Sequence, residues 1–402
     1  MTNARADDRS SAWSVFLIFQ RLGLTSFGGP IAHLGYFRDE FVTRRRWLSE
    51  SSYADLVALC QFLPGPASSQ VGIALGMFRA GYGGALAAWA GFTLPSAMAL
   101  ILFALGISRY GTAISPGALH GLKVVAVAVV AQAVWGMARN LCTDVPRVTL
   151  MAIAACVALL EPSAWGHVSV IAAAAVAGLL LFKPGQSAGH DPLPITIRRR
   201  TGAIWLALFL ALLVGLPLLA QGLPNQTVAM VDAFYRAGSL VFGGGHVVLP
   251  LLQAEVVPTG WVGNDAFLAG YGAAQAVPGP LFTFAAFLGA SMNLAPSGWV
   301  GGVICLLAIF APAFLLIMGV LPFWERLRRS LRTQAALAGV NAAVVGLLLA
   351  ALYQPVWTSA IFQVQDFALA LVALVALMFW KLPPWLVVIA SGAAGWLLNG
   401  LM

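Results

Sequence analysis

The sequence predicts an all-α polytopic membrane protein: two homologous halves arranged as an inverted repeat, with broken or re-entrant helices near the centre. Composition and repetition carry that reading. Hydrophobic residues make up 60% of the 402 and charged ones 9%, against about a quarter charged in a soluble domain, and the mean hydropathy is +0.88. The chain also repeats itself. Arg21 stands six residues before Phe27-Gly28-Gly29 and Arg236 six before Phe242-Gly243-Gly244, with Glu40 and Glu255 each thirteen past the Phe. Trp47 and Trp261 come next, then Gln61-Phe62-Leu63-Pro64-Gly65-Pro66 and Gln275-Ala276-Val277-Pro278-Gly279-Pro280. Arginine, glycine hinge and Pro-Gly-Pro break, duplicated inside apolar sequence, mark a membrane site built from two halves.

Taken in order, the N-terminal stretch with Arg5, Asp7, Asp8 and Arg9 carries no small-residue cleavage pattern and is expected to be retained. Segments 12–35 and 53–78 are long enough to span, yet the first is interrupted by Gly28-Gly29 and the second by Pro64-Gly65-Pro66. Proline inside a helix costs ~3 kcal/mol, so both read as broken helices or re-entrant hairpins. Spans near the ~20 residues that a bilayer needs lie at 83–107 and 118–138, with shorter ones at 148–160 and 168–182. Residues 183–200, containing Pro184, Pro192, Pro194 and Arg198–Arg200, link the halves, and the unmatched helix 202–221 adds one crossing that inverts the second half. That half repeats the breaks at 231–253 and 266–292, the spans at 299–321 and 335–353, and the short helices at 367–380 and 384–400. Leu119, Gly121, Val124 and Val127 meet Leu337, Gly339, Ala342 and Val345 at constant offset, so the repeat covers nearly the whole chain. The expected divisions are 1–182 (first repeat), 183–228 (basic linker and unmatched helix) and 229–402 (second repeat).

Loop charge favours nine crossings plus four re-entrant hairpins, because that count places Arg44–Arg46 and Arg198–Arg200 on one face, whereas thirteen full crossings separate them. The net charge of +8 then belongs to cytoplasmic loops facing anionic headgroups, not to nucleic acid. Cys60, Cys142, Cys156 and Cys305 show no metal or disulfide spacing. No cofactor is expected.

Arg21 and Arg236 lie where an unpaired arginine costs roughly 2.5–3.5 kcal/mol. Each needs a partner: a protein carboxylate, the interface by snorkelling, or an anion. Matching repeat positions favour the anion, with both guanidiniums meeting near the midplane. The breaks at Phe27, Gly28, Gly29 and Pro64, Gly65, Pro66, and at Phe242, Gly243, Gly244 and Pro278, Gly279, Pro280, point helix N-termini at the same guest. Ser26, Ser68, Ser69 and Gln70, with Ser239 and Thr283, offer further donors, although helix Ser and Thr also bond their own backbone. Lys123, in an apolar helix, and its counterpart Asn341 are expected to face the cavity. His33, Glu40, His246 and Glu255 are the candidates for proton coupling, with caps and arginine partners as the plainer role of the two acids.

The run Leu22-Gly23-Leu24-Thr25-Ser26-Phe27-Gly28-Gly29-Pro30-Ile31-Ala32-His33, with Trp47-Leu48 and Gln61 to Pro66, resembles the signature of the chromate ion transporter family, and the second set of motifs resembles the second domain of its two-domain members. The resemblance implies a bacterial inner-membrane protein that exports chromate and confers resistance, with sulfate as the close mimic. Partners would be the anion and membrane lipid, with a homodimer open. A dianion leaving an inside-negative cell releases about 4.6 kcal/mol at 100 mV, and there is no GxxxxGK[ST] loop for ATP. The alternatives are a sulfate or other oxyanion transporter, an anion channel, and an intramembrane enzyme on lipid-linked phosphate. The last lacks an HExxH, GxSxG or paired-aspartate motif.

Overall fold

Glycine and proline cut the apolar sequence into helices of two kinds, short paired ones and long single ones. The computed structural model describes residues 11–110, 116–182, 193–195, 197–242, 245–327 and 330–400, and among these the regular structure is entirely helical. α1 (Ala12–Thr25) is capped by Ser11, and α2 (Gly29–Arg38) runs into a wide turn at Asp39–Arg44. α1 has 14 residues, about 21 Å at 1.5 Å per residue, short of a ~30 Å hydrocarbon core. α3 (Glu50–Phe62), capped by Ser49, is equally short. α4 (Ala67–Tyr110) bends at Ala80–Gly81. Gly76 there touches the carbonyl of Gly84, a contact that a straight helix would hold about 12 Å apart. The first limb of α4 therefore folds back on the second.

α5 (Pro116–Leu141), α6 (Val145–Leu160) and α7 (Ala164–Leu181) complete the first half, and α8 (Arg199–Gly222), exposed along most of its length, separates it from the second. The second half then repeats the order: α9 (Gln226–Leu240), α10 (Val248–Val256), α11 (Asn264–Ala274), α12 (Phe284–Ala290), α13 (Gly298–Val320), the short α14 (Trp324–Leu327), α15 (Leu331–Ala351), α16 (Val364–Met378) and α17 (Pro384–Gly400). α12 and α13 correspond to the two limbs of α4 and fold back in the same way, with Gly289 against the Gly301 carbonyl. Among the described residues five helices are long and apolar enough to cross a membrane: α4, α5, α8, α13 and α15. Four shorter apolar helices, α6, α7, α16 and α17, fall where the sequence placed short spans. This is a multi-pass helical membrane protein.

Small residues decide which helices meet, as expected where lipid removes the hydrophobic drive for helix association. Gly23 of α1 lies on the Phe92 carbonyl of α4, and its counterpart Gly238 of α9 on the Ile309 carbonyl of α13. The central helices cross between halves. Gly121 of α5 lies on Ser391 of α17, while Gly339 of α15 lies on Ala174 of α7. α5 thus packs against α16 and α17, and α15 against α6 and α7. Each half lends its last two helices to the other.

Candidate functional site

The breaks form because few backbones fit their sequence. α1 stops at Ser26 in extended geometry, and Gly28 takes φ 99°, a value that L side chains resist, before Pro30 starts α2. α3 stops at Leu63, Gly65 takes φ 119° between its prolines, and α4 begins at Ala67. In the second half α9 ends at Val241, and a single tight turn, Gly245–Val247, precedes α10. Gly243 and Gly244 lie outside the described residues. Gly279 and Pro280 lead through the turn Leu281–Thr283 into α12.

These breaks interlock across the halves. The Gly65 amide donates to the Val241 carbonyl at 2.7 Å, and the Gly279 amide donates to the Ser26 carbonyl at 3.0 Å. Gly65 and Gly279 are repeat equivalents, as are Val241 and Ser26. One hydrogen bond is therefore drawn twice, each Pro-Gly-Pro loop closing on the other half's glycine break. Gly245 also faces Pro30, and Gly29 faces His246. This crossing is the candidate site.

Its polar lining comes mostly from the first half. His33 is fully buried, with Nε2 3.2 Å from the Ser26 carbonyl and Nδ1 3.4 Å from Ser68 Oγ. A carbonyl only accepts, so Nε2 carries the proton and Nδ1 accepts from the serine. Gln70 donates to the Pro64 carbonyl at 2.8 Å. Ser26 Oγ, Ser69 Oγ, Gln70 Oε1 and Thr93 Oγ1 are buried without a partner, and Gln275 Nε2 from the second half is also unsatisfied. The first N–H groups of α2 and α4 have no intrahelical acceptor, and α2 has no side-chain cap. The arrangement offers hydroxyls and helix N-termini to an anion. Among the described residues no group of three His, Cys, Asp or Glu is placed to hold a metal.

The two arginines stand in different surroundings. Arg236 is nearly buried and bonded to Asp232 at 2.9 Å and Glu255 at 3.2 Å, with Trp165 covering it at 5.3 Å. Arg21 is exposed and lines a cavity of about 180 Å³ with Thr25, Tyr36, Asp39, Glu40 and Arg44, and among the described residues it makes no ion pair. The two guanidiniums have none of these neighbours in common. Sequence differences between the repeats account for it. Glu40 is bonded to Arg44 and Arg45, both at 2.7 Å, but the equivalents of those arginines are Thr259 and Gly260, so Glu255 turns to Arg236. Asp232, whose equivalent is Leu17, adds a second carboxylate.

Other expected residues scatter. Lys123 is paired with Asp265 of α11 at 3.0 Å, so its charge is taken up between the halves. Asn341 is half-buried with Oδ1 unpartnered. Phe27 packs on Trp385, Phe242 against the main core, and Pro278 is half-buried beside the crossing. His246 bonds to the Tyr271 hydroxyl at 2.9 Å. Sequence reasoning misses Thr93, Gln275, Asp232 and Trp165. Asp232 is legible as a carboxylate four residues before Arg236, whereas Trp165 is brought in only by the helix exchange.

The profile of the chromate transporter family matches residues 13–179 and again 228–396. The chromate transport protein of Pseudomonas aeruginosa is 30% identical over 399 residues, 95% of this chain and 91% of that one. The probable chromate transport protein of Synechococcus elongatus is 26% identical over 390 residues, 94% and 93% of the two chains. The uncharacterized transporter YwrA of Bacillus subtilis is 31% identical over 169 residues, 41% of this chain but 93% of its own length. No solved structure matches the chain significantly. With two copies of the profile on two structurally matching halves, the chain belongs to the chromate transporter family.

Proposed function

We propose that this protein exports chromate, a tetrahedral dianion, across a bacterial inner membrane and so confers resistance to it. The observation that carries the reading is the interlocked crossing, where buried hydroxyls without partners and uncapped helix starts gather at the meeting of two inverted halves. Oxyanions are held in this way, by neutral hydroxyls and oriented N–H groups, where a full countercharge would bind too tightly for release. The names of the full-length relatives support chromate as the anion. Export follows from charge: a dianion leaving an inside-negative cell gains about 4.6 kcal/mol at 100 mV, enough for roughly a thousandfold gradient at 1.4 kcal/mol per tenfold. The paired crossing bonds suit alternating access, one loosening while its mirror image holds.

Everted vesicles carrying the protein should accumulate labelled chromate when their interior is made positive, and excess sulfate should compete weakly. Accumulation of sulfate but not chromate would move the reading to a sulfate transporter. A conductance that rises linearly with anion concentration would make it a channel.

A further inference from the structure

Resting on that oxyanion reading, we propose that the duplicated site works singly: the first half's break binds the substrate, and the second half's copy has become structural. Two observations lead there independently, one at the hydroxyls and one at the arginines.

At the hydroxyls, Ser26, Ser69 and Thr93 are 0%, 3% and 0% exposed, and none of their hydroxyl oxygens has a partner. Beside them His33 bonds to the Ser26 carbonyl and to Ser68 Oγ and meets Phe92 edge-on at 5.2 Å. Ser69 and Thr93 are the chain neighbours of Ser68 and Phe92. Buried hydroxyls without partners are costly to keep, and here they sit beside the uncapped start of α2 and the first turn of α4. The second half has lost the set. Ser26 corresponds to Val241 and Gln70 to Phe284, and with Pro95 aligned to Pro312, Thr93 corresponds to Phe310. Thr283, the equivalent of Ser69, keeps its hydroxyl but donates it to the Pro280 carbonyl at 2.7 Å. Phe310 and Phe284 instead pack against Phe282 and Tyr271. Buried hydroxyls in one half are replaced by an aromatic cluster in the other.

The arginines follow the same division. Arg21 faces an open cavity, with Glu40, the equivalent of Arg236's partner Glu255, occupied by Arg44 and Arg45. Arg236 is closed by Asp232, Glu255 and Trp165. The anion therefore meets Arg21 at the mouth and the hydroxyls at the break, both in the first half, while the second half supplies the Gly279 amide that holds Ser26 in place.

The test is equilibrium binding of chromate, and separately of sulfate, to purified protein, with thermal unfolding monitored alongside. Ser69→Ala and Thr93→Val, each close to isosteric, should weaken the anion that the wild type binds by roughly tenfold, the value of one hydrogen bond to a charged group. Thr283→Val should change it less than about twofold. Equal losses from both halves, or wild-type affinity in Ser69→Ala and Thr93→Val proteins that unfold at the wild-type temperature, would overturn the proposal. A first-half loss seen with sulfate while chromate binds nowhere would support the site and sink the chromate reading. Binding of neither anion by the wild type would overturn both. Should Thr93→Val misfold, Ser26→Ala with Ser69→Ala gives the same comparison.

Discussion

Arg21 and Arg236 occupy one repeat position in different surroundings, and the reason lies in three other repeat positions. Leu17 against Asp232 decides whether the arginine has a carboxylate one turn away, and Arg44-Arg45 against Thr259-Gly260 decides whether the distal glutamate is free to reach it. Those letters are readable without coordinates, but their weight is not, because the side chains meet only after the breaks have turned the helices back. Removing the Arg236 guanidinium leaves two nearly buried carboxylates facing each other. Arg236→Ala should cost about 3 kcal/mol of stability, read as a lower melting temperature in detergent. Adding Asp232→Leu and Glu255→Gln should restore most of it. An Arg236→Ala protein as stable as the wild type but unable to bind chromate would instead make Arg236 a substrate ligand.

Among the elements, the breaks and their spacing were the legible part. Gly28, Gly65 and Gly279 demand backbone that a helix cannot supply, so interruptions at 27–30, 64–66 and 278–280 could be placed from residue type. What the breaks touch could not, since the acceptors of Gly65 and Gly279 lie in the opposite half, and no local pattern selects Val241 or Ser26. Replacing Pro64 and Pro66 by Ala should let α3 run toward α4, draw the Gly65 amide away from Val241 and slow chromate uptake by about tenfold, with membrane insertion unchanged. One lost central hydrogen bond is worth about 1 kcal/mol, and the rest comes from misplaced helix starts. Uptake at the wild-type rate in the double variant would mean that these prolines shape packing only.

At the scale of the whole molecule, the repeated motifs mark two homologous halves but do not show their exchange, in which α5 packs into α16 and α17 and α15 into α6 and α7. Offsets between repeats report equivalence, not adjacency. Glycine faces such as Gly117-Gly121 and Gly339 show that a close crossing exists without naming the partner. Cutting the chain within residues 183–198 and expressing both pieces together should give a stable, transporting complex, with either piece alone failing to accumulate. Two pieces that each fold and purify without the other would show that the exchange is dispensable.

The same exchange sets an order of events during synthesis. α5 leaves the ribosome early, yet the surface that Gly117 and Gly121 are shaped for belongs to α17, whose first residue is Pro384. At ~5–20 residues per second, roughly ten seconds to a minute pass before that surface exists. Throughout this interval the glycine groove of α5 is open to lipid and to other half-made chains. The nascent protein is thus held together late, by its final helix, and a ribosome that stops short of Pro384 releases a chain whose first half is inserted but unclosed.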